Sequence, residues 1–193
     1  MTTQTIPSTT ELAELAELTG EYTIDPVHSR IGFVARHAVV TKVRGLFSEF
    51  GGTFNLDGEN PAGSTAEVTI QVASIDTGSA DRDAHLRTND FFSMEEYPEI
   101  TFAATSITPK SETEYKVTGD LTMRDVTKPV TFDVEFLGAA TDPYGNLRVG
   151  FEGSTTVNRK DWGINWNAAL ETGGVLVSEK VTLEFEVAAV KAN

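Results

Sequence analysis

Cysteine is absent from this chain of 193 residues, which excludes disulfides, thiolate metal sites and a cysteine nucleophile. Positive charge is also scarce, because 15 Lys and Arg stand against 29 Asp and Glu and give a net charge of −14. Binding to nucleic acid requires lysines and arginines that replace phosphate counterions. Nucleic acids and anionic membrane surfaces are therefore poor partners for this chain.

Long apolar runs are missing as well. No segment approaches the roughly 20 apolar residues of a membrane span, so we expect no integral membrane span. Residues 1–29 contain no Lys or Arg and no continuous apolar stretch of the kind found in signal peptides. We therefore expect a cytoplasmic protein, in agreement with the absence of cysteine.

Known catalytic motifs are absent too. The sequence has no G-x-S-x-G nucleophile elbow, no phosphate-binding P-loop and no glycine fingerprint for a dinucleotide. Its 3 histidines match no metal-binding spacing such as H-E-x-x-H. These absences predict a protein that is not an enzyme and needs no metal or cofactor.

Alternation of apolar and polar residues dominates the chain from residue 21 onward. This period of two is typical of strands with one buried face. The clearest runs are residues 31–37, 66–72, 100–104, 115–123, 130–136, 147–153 and 181–187. Turn signals such as Asp57-Gly58 and Asn60-Pro61 separate the runs. About eight or nine strands at this spacing predict an antiparallel barrel or sandwich, that is, an all-β fold.

Two segments have a helical pattern instead. Near the N-terminus, Leu12, Leu15 and Leu18 recur at helical spacing before Gly20, which predicts a short amphipathic helix that either docks on the main body or binds a partner. Residues 79–89 begin with a possible serine cap and acidic residues, which predicts a second short helix. We divide the chain into an N-terminal extension, residues 1–20, and one domain, residues 21–193.

Small residues interrupt the apolar rows of the predicted strands. Gly52, Ala66, Ala104, Gly119 and Gly153 stand among large side chains. Barrels of about eight strands either hold a small ligand or are filled by their own side chains. Alternating large and small residues fit both arrangements, so the pattern leaves a cavity and a filled barrel open.

Four segments in order resemble the signatures of the YceI-like, polyisoprenoid-binding family. They are residues 24–37, 82–102, 119–130 and 158–163. The resemblance implies an extended lipocalin-like barrel of eight antiparallel strands, often dimeric, with a deep apolar tunnel for a long isoprenoid and no established catalytic activity. Asp125 stands where relatives usually have a glycine, so we expect that turn to differ locally.

The resemblance leads to our functional prediction. We expect a homodimeric protein that binds and stores or carries a long-chain isoprenoid, either a polyprenyl diphosphate or an isoprenoid quinone. One alternative is a broad binder of fatty acids or their amides, and another is an interaction module with a filled barrel. A less favoured alternative is an isoprenoid-modifying enzyme that uses His28, Asp83 and His85 as acid–base groups.

The cavity is predicted to be lined by residues on the inward rows and by the aromatic loop after the second helix. These are Ile31, Phe33, His37, Phe50, Phe54, Val68, Ile70, Phe91, Phe92, Phe102, Leu121, Phe132, Phe136, Phe151 and Trp166. His37 fits either a neutral, hydrogen-bonded imidazole in the core or a polar contact for the ligand. Trp162 and Trp166 fit either a cap over one end or part of the core.

Basic residues supply the candidates for contact with a polar head group. No Asp or Glu occurs between Pro26 and Ser48, which favours either a solvated strand face or a cationic mouth for a diphosphate. The head-group candidates are His28, Arg36, Arg44, Arg82, His85 and Arg87.

Overall fold

The computed structural model describes residues 15–193. Eleven strands, the short helix α1 (Ala80–Leu86) and four 3₁₀ turns lie in this part of the chain. The strands are β1 (Gly20–Ile24), β2 (Arg30–His37), β3 (Thr41–Phe47), β4 (Phe50–Leu56), β5 (Thr65–Gln71), β6 (Ile75–Asp76), β7 (Glu99–Pro109), β8 (Glu114–Met123), β9 (Val126–Thr141), β10 (Leu147–Asn158) and β11 (Lys180–Lys191). Most of the predicted N-terminal helix lies outside the described residues. Its described part, Leu15 and Ala16, is helical.

The strands form one closed antiparallel barrel. Strands β1 and β2 continue each other around a 3₁₀ turn at Pro26–His28, and β5 and β6 do so around a 3₁₀ turn at Val72–Ser74. Strands β3 and β4 continue each other across the two residues 48 and 49. With these pairs counted as single strands, the barrel has eight strands. Pairing of both β1 and β2 with β11 closes the sheet, and closure removes unpaired edges. The predicted all-β, lipocalin-like barrel is confirmed.

Helix α1 is held against the barrel by buried polar contacts. The Ser79 side chain caps it by accepting a hydrogen bond from the Arg82 N–H. Asp83, only 8% exposed, accepts hydrogen bonds from the Thr77 N–H at 2.9 Å and its hydroxyl at 2.5 Å. The helix predicted near residues 79–89 is confirmed, and these bonds fix the start of the aromatic loop that follows it.

The turn between β8 and β9 contains Asp125, at the position where the resemblance predicts a glycine. Arg124 and Asp125 have φ angles of 51° and 59°, as expected for the tight two-residue turn that matches the twist of a hairpin. Asp125 thus keeps the left-handed conformation that a glycine would adopt without steric cost.

No helix within residues 15–193 is long and apolar enough to cross a membrane.

Candidate functional site: an apolar cavity along the barrel

The barrel encloses a cavity of about 330 Å³ with an almost entirely apolar lining. Ligand pockets in proteins usually measure roughly 300–1,000 Å³. On β11 the cavity is lined by Val181, Leu183, Phe185 and Val187, four successive inward positions that extend about 20 Å along the strand. Of the two arrangements that the sequence left open, the structure has the cavity.

Most of the predicted lining residues border this cavity. They are Ile31, Phe33, Phe54, Val68, Ile70, Phe91, Phe92, Phe102, Leu121, Phe132, Phe136 and Phe151. All but Phe91 and Phe92 lie on strands, and those two belong to the loop after α1. Contact of these side chains with a ligand remains a prediction.

Three predicted lining residues lie elsewhere. His37 is exposed rather than inside the barrel, because it is the last residue of β2 and lies two positions beyond Ala35, the last residue of that strand to line the cavity. Phe50 packs against the main core cluster. The Trp166 ring lies against His85 and Phe91, with ring centroids 4.7 and 5.3 Å apart.

The two tryptophans differ in role. Trp162 is 2% exposed and donates a hydrogen bond from Nε1 to the Leu121 carbonyl at 2.9 Å. Trp162 therefore belongs to the core, whereas Trp166 covers the edge of the aromatic loop.

Glycines on the inner wall make room for phenylalanine rings. A Cβ atom on Gly119 would lie 2.4 Å from the Phe102 ring, and one on Gly153 would lie 2.7 Å from the Phe185 ring. The rings of Phe102 and Phe185 therefore pack directly against the backbone of the inner wall. The Phe132 ring contacts both, with centroid distances of 5.5 Å to Phe102 and 5.6 Å to Phe185. This arrangement places aromatic surface along the cavity while part of the lumen stays open.

One end of the cavity is covered by the N-terminal segment. Leu15 and Leu18 line the cavity, and the Leu18 carbonyl accepts a hydrogen bond from the Tyr22 hydroxyl at 2.8 Å. A Cβ atom on Gly58 would lie 1.7 Å from the Leu15 carbonyl oxygen, so the backbones meet directly. The helical spacing of the leucines signalled an apolar face, yet we did not predict that Leu15 and Leu18 would line the cavity.

Arg159 lines the opposite end, near the start of β11. It is 5% exposed, and burial lowers the pKa of its guanidinium. Ile164 and Val177 line the cavity beside it. Sequence reasoning missed Arg159, although the residue lies in the last of the four family-like segments. No periodic pattern marked it, because it lies in the 3₁₀ turn Arg159–Trp162 that follows β10.

Three of the six head-group candidates lie on the outside of the barrel. Arg36 and Arg44 are exposed, and Arg44 approaches Glu184 at 3.5 Å. The His28 side chain, 66% exposed, bonds to Asp25 at 2.8 Å. None of the three candidates lines the cavity.

The other three candidates belong to α1 and its C-terminal end. Arg82 donates hydrogen bonds to Thr77, and Arg87 donates to the carbonyls of Ala73 and Ile75. His85 pairs with Asp90 at 2.8 Å. The structure therefore does not bring the six side chains together into one cationic mouth, and these three stabilise the loop around α1 instead.

The proposed acid–base groups have separate partners. His28 contacts Asp25, Asp83 contacts Thr77 and His85 contacts Asp90. Within residues 15–193, no three His, Cys, Asp or Glu side chains lie close enough to hold a metal ion.

A compact charge cluster lies outside the cavity, where β1 leads into the 3₁₀ turn. Arg148 donates to Asp25 at 2.7 Å and to Asp142 at 2.8 Å. The hydrogen bonds from Arg148 and His28 lower the pKa of Asp25 to about 2. Arg148 likewise holds the pKa of Asp142 well below its usual range. Breaking this cluster would therefore change how the free energy of unfolding depends on pH in the acid range.

Known proteins are similar to this chain in sequence and in fold. The YceI-like domain family matches residues 22–189. A UPF0312 protein from Photorhabdus laumondii is 44% identical over 147 residues, which cover 75% of this chain and 76% of the relative.

Two solved structures have a similar fold. Burkholderia cenocepacia BcnA is 24% identical, with a TM-score of 0.75 over 86% of this chain and 98% of BcnA. A polyisoprenoid binding domain from Saccharophagus degradans is 16% identical, with a TM-score of 0.65 over 89% of this chain and 98% of that domain. The family match spans the barrel from β1 to β11, and this chain therefore belongs to the YceI-like family.

Proposed function

We propose that this protein binds a long-chain isoprenoid in the barrel cavity and stores or carries it. The observation that carries the proposal is the apolar cavity, which extends from Leu15 and Leu18 at one end of the barrel to Arg159 at the other. Each buried CH₂ group contributes about 0.8 kcal/mol, so a long hydrocarbon binds there with little help from polar contacts. The S. degradans protein with this fold is named as a polyisoprenoid binding domain, which supports the isoprenoid class.

The ligand we propose is a polyprenyl diphosphate or an isoprenoid quinone. A broad binder of fatty acids or their amides would use the same apolar lining, because methylene and isoprene groups gain equally from leaving water. Competition among ligands of equal carbon number separates the two: a selective protein prefers the branched chain, and a broad binder accepts both.

Homodimer formation and a cytoplasmic location remain predictions. Light scattering at two protein concentrations tests the first, and fractionation of cells that express the untagged chain tests the second. A monomer at all concentrations, or recovery outside the cytoplasm, would contradict them.

Native mass spectrometry of the purified protein, followed by organic extraction, tests the proposed function. A stoichiometric adduct whose released molecule has a polyprenyl mass supports the proposal. A ligand-free mass that persists after incubation with quinones, polyprenyl phosphates and fatty acids refutes it, and the interaction module would then become the better account.

A further inference from the structure

Arg159 is unusual among the residues that line the cavity. Within residues 15–193, the buried polar or charged side chains are Asp83, Ser93 and Arg159. Only Arg159 among them borders the cavity. The remaining lining is almost entirely apolar, and Arg159 is the one buried cation among the lining residues of the described part of the chain.

The hydrogen bonds of Arg159 hold its guanidinium group in place but do not neutralise its positive charge. Nε donates to the Ser178 carbonyl at 2.9 Å, Nη1 to the Ile164 carbonyl at 2.7 Å and Nη2 to the Val177 carbonyl at 3.4 Å. All three acceptors are neutral. A guanidinium carries five N–H donors and stays protonated in proteins, so donors are left over within the described part of the chain.

The acid whose charge acts on Arg159 does not form an ion pair with it. Glu179 forms its ion pair with Lys160, at 2.6 Å, and acts on Arg159 only through its more distant charge. No ion pair to Arg159 occurs among residues 15–193. A buried charge without a close counter-ion is costly, and an anion that brings its own charge would offset that cost.

We propose that Arg159 binds the anionic head of the ligand, a carboxylate or phosphate, at the end of the cavity near the start of β11. This inference rests on the proposed function and adds the class and orientation of the ligand. The hydrocarbon tail then runs along β11 toward Leu15 and Leu18, which cover the other end. Guanidinium suits this role because its fork of donors matches carboxylate and phosphate oxygens.

The test compares two ligands that differ only in their head group, geranylgeranyl monophosphate and geranylgeraniol. We expect wild type to bind the phosphate more tightly than the alcohol. Arg159→Gln should weaken phosphate binding about tenfold or more, since a charge-assisted bond is lost, and should leave alcohol binding within about twofold. Equal losses for both ligands would mean that Arg159 merely holds the loop, and would overturn the inference.

Arg87→Gln is the matched control. Arg87 also donates to backbone carbonyls, of Ala73 and Ile75, but it does not line the cavity. This variant should leave the preference for the phosphate unchanged. A similar loss of preference in Arg87→Gln would point to a general effect of loosening the structure and would count against Arg159 as the binding group.

A second measurement needs no variant and covers the case in which Arg159→Gln fails to fold. In wild type, nuclear Overhauser contacts from the C1 protons of bound geranylgeranyl monophosphate should reach the methyl groups of Ile164 and Val177. Contacts to Leu15 and Leu18 instead would place the head at the wrong end and overturn the orientation. If neither ligand binds, the proposed function fails; if both ligands bind equally, only the head-group inference fails.

Discussion

Val134 and Val149 form a matched pair that tests whether the cavity exists in solution. Both are buried, at 8% and 2% exposure, and both lie in strands. Val134 lines the cavity, whereas Val149 packs with Tyr22 and Ala189 in a separate cluster. The substitution of either valine by alanine removes the same two methyl groups, so any difference in cost comes from the surroundings.

The expected costs follow from packing. Loss of two methyl groups forfeits about 1.6 kcal/mol of transfer free energy. At Val149 the change also creates a void of roughly 60 Å³, about the volume of two water molecules, which adds about 1.4 kcal/mol at 24 cal/mol per Å³. Val149→Ala should therefore cost about 3 kcal/mol, and Val134→Ala about 1.6 kcal/mol, since Val134 already faces open space.

Urea unfolding of delipidated protein, with a shared slope for all variants, measures both costs. The same pair is then examined for ligand affinity, where Val134→Ala should weaken binding and Val149→Ala should not. Equal losses of unfolding free energy would refute the reasoning, because they would mean that side chains fill the space beside Val134 in solution.

Three further predictions concern the ends of the barrel and the charge cluster. Asp25, whose pKa of about 2 in the folded protein lies below its ordinary value of 3.8, contributes stability that is present above about pH 4 and lost as pH falls toward 2. Arg148→Met should therefore lower the free energy of unfolding at pH 7 and flatten its dependence between pH 4 and 2; an unchanged acid profile in urea titrations would contradict this. Asp125→Gly should raise the free energy of unfolding by about 1 kcal/mol, because it relieves a left-handed conformation, and a loss in thermal or urea unfolding would show that Asp125 makes a compensating contact. Leu18→Asp should open the end covered by the N-terminal segment and speed ligand release about tenfold or more, as followed by stopped-flow transfer to vesicles; an unchanged rate would mean that this end is not the exit.

The sequence by itself determined the class of fold and the inward rows. Alternation with period two specifies which side chains share a face of a strand, because successive side chains point to opposite sides. Phe102, Phe132 and Phe151 could therefore be placed on the inner wall without coordinates. Ser79 likewise marked the start of α1, since a serine side chain can satisfy the first free N–H groups of a helix.

Only the tertiary structure decided which polar groups meet the cavity. The sequence alone does not distinguish Arg159 from Arg44. In the folded barrel, Arg159 is buried in the turn after β10, whereas Arg44 is exposed on the outer face. The alternation predicted an inward side chain at His37, but β2 ends at this residue and the side chain is exposed. Alternation acts over neighbouring residues, whereas the burial of a charge and the space left between facing rows depend on strands that are distant in sequence. The open cavity, the burial of Arg159 and the contact of Leu15 and Leu18 with the cavity therefore appeared only in three dimensions.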